Sequence, residues 1–231
     1  METDVILRVQ NLSLELDHQA VIEDVSFTVK KGDLITIMGP NGAGKTVLLK
    51  CLLNLLPYTG TIEWEKGIKI GYVPQRLPFI KDIPMSVMDF FALKKASEQE
   101  AREKMQALGF KEDLFERKIG ELSSGQFQQI LIVWSMIGNP HVLLFDEPTS
   151  GVDITGEESI YHFLAKLKEE HNLTILLVTH DLSVVYQFST RVICLNRQVI
   201  CYGSPHDALT PESLQNLYGT KMKYYQHKHE S

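Results

Sequence analysis

The sequence predicts an α/β fold: a mostly parallel sheet wrapped on both faces by helices, entered through an antiparallel β-subdomain and interrupted by a helical insertion. Three observations carry this. Short, almost wholly apolar runs at residues 34–38, 142–145 and 174–178 alternate with segments of helical period, as buried strands linked by crossover helices do. Over roughly the first thirty residues, apolar and polar side chains alternate instead, the signature of half-buried strands. From about Arg76 to Gly120 the chain turns polar and helical, which sets an insertion into the surrounding core.

In chain order, residues 5–9, 12–16 and 25–29 read as strands, and Lys30-Lys31-Gly32-Asp33 as a turn. Residues 34–38 form a buried strand and 46–56 a largely apolar helix, with strands 61–65 and 69–73 after them. Two helices follow, 85–96 and 97–108. Ser97 and Glu100 stand in capping-box spacing at the start of the second, and Gly109 stops it. The core resumes with a very apolar helix at 126–137, ended by Gly138-Asn139-Pro140. Strand 142–145, helix 156–170, strand 174–178 and helix 182–189 come next, then short strands 191–195 and 198–201 and a last helix at 211–218. No internal repeat is visible. A single domain is expected, its core at 1–75 and 121–219, its insertion at 76–120 and a polar tail at 220–231.

With 231 residues, 44% of them apolar and 23% charged, the chain can bury a full core. A net charge of −6 argues against the basic face that non-specific nucleic-acid binding requires, so no nucleic-acid partner is expected. Asp4 and Arg8 interrupt any apolar leader, and no stretch approaches the roughly 18–20 apolar residues that cross a bilayer. Any membrane role therefore runs through a partner. Cys51, Cys194 and Cys201 sit in apolar runs and read as reduced, buried thiols of a cytosolic protein.

Gly39-Pro40-Asn41-Gly42-Ala43-Gly44-Lys45-Thr46 fits G-x-x-x-x-G-K-[ST] in full, between an apolar strand and a helix. Glycines let successive backbone N–H groups turn toward phosphate oxygens, and the helix N-terminus adds its positive end. Lys45 supplies a charge for the β- and γ-phosphates, and Thr46 a hydroxyl for Mg²⁺. The alternative is a glycine-rich turn that matches by accident; the flanking strand and helix argue for a P-loop NTPase (RecA-like) core that binds a nucleoside triphosphate.

Val142-Leu143-Leu144-Phe145-Asp146-Glu147 is an apolar strand ending in two acids. Asp146 would hold the Mg²⁺ shell beside the cradle, and Glu147 would reach the attacking water as general base. His180 directly follows the strand at 174–179. It reads either as a cap for the next helix, with Asp181, or as an orienting group at the γ-phosphate end of the sheet.

Leu122-Ser123-Ser124-Gly125-Gln126, shortly before Asp146, resembles the L-S-G-G-Q signature of ABC ATPases with one glycine replaced. The family's other motifs fall in order around it: Gln75 of Tyr72-Val73-Pro74-Gln75, then Asp146-Glu147-Pro148-Thr149-Ser150-Gly151-Val152-Asp153, then Thr179-His180-Asp181. The resemblance covers residues 5–219. It implies a homodimer that sandwiches two ATP molecules, each cradle closed by Ser123, Gly125 and Gln126 of the other copy. It further implies that Gln75 senses Mg²⁺ and couples to an integral membrane permease through the insertion. On this resemblance the chain lies at the cytoplasmic face of the membrane and works indirectly with an extracytoplasmic substrate-binding protein.

The chain departs from that pattern at several places. Ser124 stands where glycine is usual, and a positive φ there would cost about 1 kcal/mol. Val47 replaces a second hydroxyl residue, removing a phosphate bond worth roughly 1 kcal/mol. Leu16 stands where an aromatic ring usually meets adenine, and Gln129 and Trp134 replace arginines. A working but slow ATPase is expected. The segment from Cys194 to Pro205, with Leu209-Thr210-Pro211-Glu212 and Leu217-Tyr218-Gly219, resembles the subfamily that energises zinc, manganese or iron(II) uptake. His227 and His229 are compatible with metal sensing or with a solvated tail. Lipid, amino-acid and export systems, or a regulatory ATP-binding module, are the competing readings. A GTPase would need an N-K-x-D segment, which the sequence lacks.

Overall fold

The computed structural model describes residues 4–75, 84–149, 152 and 154–219. A long hairpin of β1 (Val5–Leu16) and β2 (Gln19–Lys30) opens the chain, followed by β3 (Leu34–Met38) and α1 (Lys45–Leu52). Strands β4 (Thr59–Trp64) and β5 (Ile70–Val73) come next, then α2 (Val87–Ala92), α3 (Glu98–Ala107) and α4 (Ser124–Ser135). The remainder runs β6 (Val142–Asp146), α5 (Ile154–His171), β7 (Thr174–Val178), α6 (Leu182–Phe188), β8 (Arg191–Asn196), β9 (Gln198–Gly203), α7 (Pro205–Ala208) and α8 (Pro211–Tyr218).

Two sheets result. The first is antiparallel, in the order β2-β1-β4; the second has the order β5-β6-β7-β3-β8-β9, parallel throughout except for β9. Pleating sends alternate residues of the central strands to opposite faces. Ile37, Leu144 and Leu176 face the antiparallel sheet and α1, while Leu143, Phe145, Ile175 and Leu177 face the side of α4 and α5. Both faces are therefore covered, which is why these strands read as near-continuous apolar runs. Residues of α2, α3 and α4 make a separate cluster around Phe91, Met105, Phe115 and Ile130.

Several boundaries move for physical reasons. Strands 5–9 and 12–16 are one strand, whose register shifts where Asn11 takes a left-handed φ of 50°. Its side chain donates to Oδ1 of Asp24 at 2.7 Å, and Asp24 has the same φ. The polar residue that suggested a break is a bulge. Helix α1 ends at Leu52, before Asn54 at φ 55°. Ser97 caps α3 through the N–H of Glu100, but the Glu100 carboxylate accepts from the N–H of Gly138, so the expected reciprocal box is half formed. Complete boxes belong to Ser86 and Asp89 on α2 and to Ser123 and Gln126 on α4. Helix α7 was not foreseen; Ser204 at its N-cap and Pro205 at its first position carry the signal.

The reading of three reduced thiols is corrected for two of them. The β8–β9 register sets Cys194 opposite Cys201 with Cα atoms 4.8 Å apart, and the two form a disulfide. Residue spacing alone hid this, because the tight turn that Arg197 makes at φ 61° fixes which residues face one another. Cys51 is a free, buried thiol, and burial pushes it up to about 11. Among the described residues no helix is long and apolar enough to cross a membrane.

Candidate functional site

The loop from Gly39 to Gly44 joins the C-terminal end of β3 to α1, at the sheet edge where open α/β folds receive ligands. Gly44 is the N-cap of α1 at φ 94°, and a Cβ there would stand 2.8 Å from the carbonyl oxygen of Val21. A Cβ on Gly39 would overlap the carbonyl oxygen of Leu195. The turn is thus wedged between β2 and β8, and only glycine fits at either end. Asn41, Gly42, Ala43, Gly44, Lys45, Thr46 and Val47 line a cavity of about 440 Å³, closed by Val21, Gln75 and Glu147. A second hollow, about 340 Å³ and bordered by Lys31, Glu65, His141 and His171, opens at the opposite ends of the strands.

Lys45 is 7% exposed and its ammonium donates to the carbonyls of Gly39 at 2.8 Å and Pro40 at 3.0 Å. Burial lowers its pKa, opposed by the charges of Glu147 and Asp146. Thr46 donates from Oγ1 to Oδ1 of Asp146 at 3.1 Å. Asp146, at the end of β6, is 1% exposed. Burial holds its carboxyl above the usual carboxylate range and the charge of Glu147 adds to this, against the Thr46 bond and the charges of Lys45 and Lys50. Glu147 has a left-handed φ of 48° and donates its N–H to the carbonyl of Val178 at 3.1 Å, so the turn after β6 is pinned to β7. That turn carries its carboxylate into the cavity, where Nε2 of Gln75 donates to Oε2 at 2.6 Å.

Lys45, Thr46, Gln75, Asp146 and Glu147 therefore meet in one place. His180 follows β7 at the same sheet edge, is exposed, and is not among the cavity walls; its neighbour Asp181 caps α6 by accepting the N–H of Ser183. Ser123, Gly125 and Gln126 lie at the start of α4, also outside that cavity. Ser123 Oγ accepts the N–H of Gln126 at 3.1 Å, and the Gln126 amide oxygen accepts the N–H of Ser123 at 3.0 Å. Ser124 opens the helix without a positive φ, so the strain expected of a non-glycine residue there does not arise. Gln129 bonds Ser159, and Trp134 donates to the carbonyl of Phe90 beneath the Lys94 ammonium, 4.5 Å from its ring. Leu16 ends β1 at the hairpin tip, 39% exposed, while Val21 supplies the apolar wall of the cavity. No motif marks Val21. Ser150, Gly151, Asp153, His227 and His229 lie outside the described residues.

A parallel sheet, a glycine loop leading into a helix, and a lysine, threonine and two acids converging on it define a P-loop ATPase. The ABC transporter family model matches residues 22–150, and the chain belongs to that family. It is 37% identical to the zinc import ATP-binding protein ZnuC of Jannaschia sp. (strain CCS1) over 216 residues, covering 93% of this chain and 89% of that one. It is 35% identical over 234 residues to ZnuC of Magnetococcus marinus, covering 99% and 90%. Among solved structures it resembles MJ1267, an ATP-binding cassette of an ABC transporter, with a TM-score of 0.80 at 25% identity, covering 94% and 99% of the two chains. It also resembles cbiO1 of Clostridium perfringens, part of the ABC transporter complex cbiONQ, with a TM-score of 0.77 at 25% identity and coverage of 92% and 94%. The chain is an ATP-binding, ATP-hydrolysing subunit of a transporter complex that includes a membrane permease.

Proposed function

We propose that this ATPase drives import of a divalent metal ion, zinc first and manganese or iron(II) next, as a homodimer at the cytoplasmic face of a permease. The observation that carries the chemistry is the convergence of Lys45, Thr46, Gln75 and Glu147 on one cavity, with Asp146 bonded to Thr46. The choice of cargo is supported by near-full-length relatives named as zinc import ATP-binding proteins. In such a system an extracytoplasmic binding protein delivers the ion.

Lys45 places its charge against the β- and γ-phosphates of ATP, cradled by the N–H groups of residues 41–46. The Thr46 hydroxyl, a buried Asp146 carboxylate and the Gln75 amide oxygen form an all-oxygen donor set, which fits Mg²⁺. Bound there, the ion would neutralise phosphate charge. Gln75 gives its N–H to one oxygen of Glu147 and leaves the other free to take a proton from the attacking water. His180 orients that water or the γ-phosphate. Ser123, Gly125 and Gln126 complete the cradle of the second copy.

Cells lacking this gene, complemented with wild type or Glu147→Gln, test the cargo by uptake of radioactive zinc, manganese and iron(II). Zinc uptake restored by wild type alone is the expected result; equal uptake of all three ions in both strains overturns the metal reading.

A further inference from the structure

One buried side chain outside the motifs joins the two strand ends that carry Glu147 and His180. Tyr161 on α5 is 4% exposed, and its ring stacks on Phe188 of α6 at 6.5 Å and 25°. Its phenol oxygen lies 3.1 Å from Oγ1 of Thr149 and 3.1 Å from Oγ1 of Thr179. Both threonines are buried. Thr149 stands two residues after Glu147, across Pro148, and Thr179 immediately precedes His180. Thr179 Oγ1 also accepts the N–H of Asp181 at 3.2 Å, so the run of hydroxyls reaches the N-cap of α6.

The ring and the oxygen have separable roles. Around Tyr161 the core is apolar, with Phe145, Leu164, Leu177 and Val184 in the same cluster, and a phenylalanine ring would fill that space. A buried hydroxyl is a liability unless bonded. Here it is bonded to both loops that bring acid–base groups to the γ-phosphate end of the sheet. The Glu147 N–H bond to Val178 ties the same two strand ends through backbone. The phenol adds a second tie beyond the catalytic residues, which turns a single pivot into a fixed spacing.

We propose that Tyr161 is a positioning residue for ATP hydrolysis, its hydroxyl holding the Glu147 turn and His180 at a set separation. The proposal rests on the roles given above to Glu147 and His180. Misplacing a reacting group by about an ångström costs on the order of 100-fold, and losing one of two ties shifts it by less. Tyr161→Phe should therefore lower kcat about 10-fold while the Kd for MgADP stays within about twofold, since no phosphate-binding group moves.

The test is a double-mutant cycle of Tyr161→Phe with His180→Ala, reading kcat, KM and MgADP affinity in the full chain. If the phenol acts through His180, its loss costs little in the His180→Ala background. An undiminished 10-fold loss there overturns the proposal and leaves His180 in its role. A His180→Ala variant with wild-type kcat overturns the underlying site reading and the proposal with it. Equal falls in kcat and MgADP affinity in Tyr161→Phe also overturn it, because they mark general loosening of the core. Should Tyr161→Phe fail to fold, Thr179→Val against Thr179→Ser asks the same question. Serine keeps the oxygen and should hold kcat well above the valine variant; equal kcat in the two overturns the proposal.

Discussion

Nε2 of Gln75 donates a 2.6 Å hydrogen bond to Oε2 of Glu147, linking the end of β5 to the turn after β6. The residue assigned to sensing and the residue assigned to base catalysis are thus direct partners. Any displacement of the Gln75 amide therefore pulls on the carboxylate.

Glu147→Gln keeps the side chain's shape and removes its proton-accepting charge. General-base assistance is worth about 10²- to 10⁴-fold, so turnover should drop by that order. Lys45, Thr46 and Asp146 are untouched, so nucleotide binding persists and an ATP-bound dimer accumulates on size-exclusion chromatography. A variant that hydrolyses ATP at the wild-type rate would move the base elsewhere.

Asp146→Asn should stabilise the protein free of nucleotide and metal. The folded carboxyl has its pKa raised above the unfolded value, chiefly by burial, so the folded state binds the proton more tightly. Stability then falls as pH rises from the unfolded value to the folded one, and the deficit persists at neutral pH. The amide removes that deficit and still offers Thr46 an acceptor. Melting at pH 7 without ligand should occur at a higher temperature than in wild type, while MgATP should raise the melting temperature of wild type only. A lower ligand-free melting temperature for the variant would contradict the sign.

Ser123 has two separable roles. Within one chain it caps α4, so Ser123→Ala should cost about 1 kcal/mol, a few degrees in Tm for a chain of this size. Between chains, in the proposed sandwich, it would face the other copy's phosphate. A mixed dimer of Ser123→Arg with Lys45→Ala should keep at most one working site, and full two-site activity would remove the sandwich.

Thiol titration checks the β8–β9 disulfide. Protein purified and denatured without reductant should expose one thiol, Cys51, and reductant should release Cys194 and Cys201 as well. Three thiols before reduction would restore the reading of reduced cysteines.

The sheet was legible because its strands are buried on both faces, and runs such as Leu143–Phe145 admit little else. The cradle was legible because Gly44 and Lys45 answer to backbone geometry and charge, which permit few residue types. Legibility failed where pairing decides. Asn11 signals a break or a bulge with equal force, and only Asp24 across the hairpin settles it. Cys194 and Cys201 become neighbours through register, which a single strand's pattern does not contain. Val21 and Tyr161 belong to the site region by position in space; along the chain, one is a strand valine and the other a helix aromatic.

Lys45 already has two carbonyls for company before any phosphate arrives. Its ammonium has left bulk water on folding, so in the proposed site nucleotide binding would be an exchange of partners: oxygen for oxygen, neutral for anionic. The desolvation that ordinarily taxes a cation–phosphate contact is charged against the fold, leaving the ligand a cation already stripped and aimed.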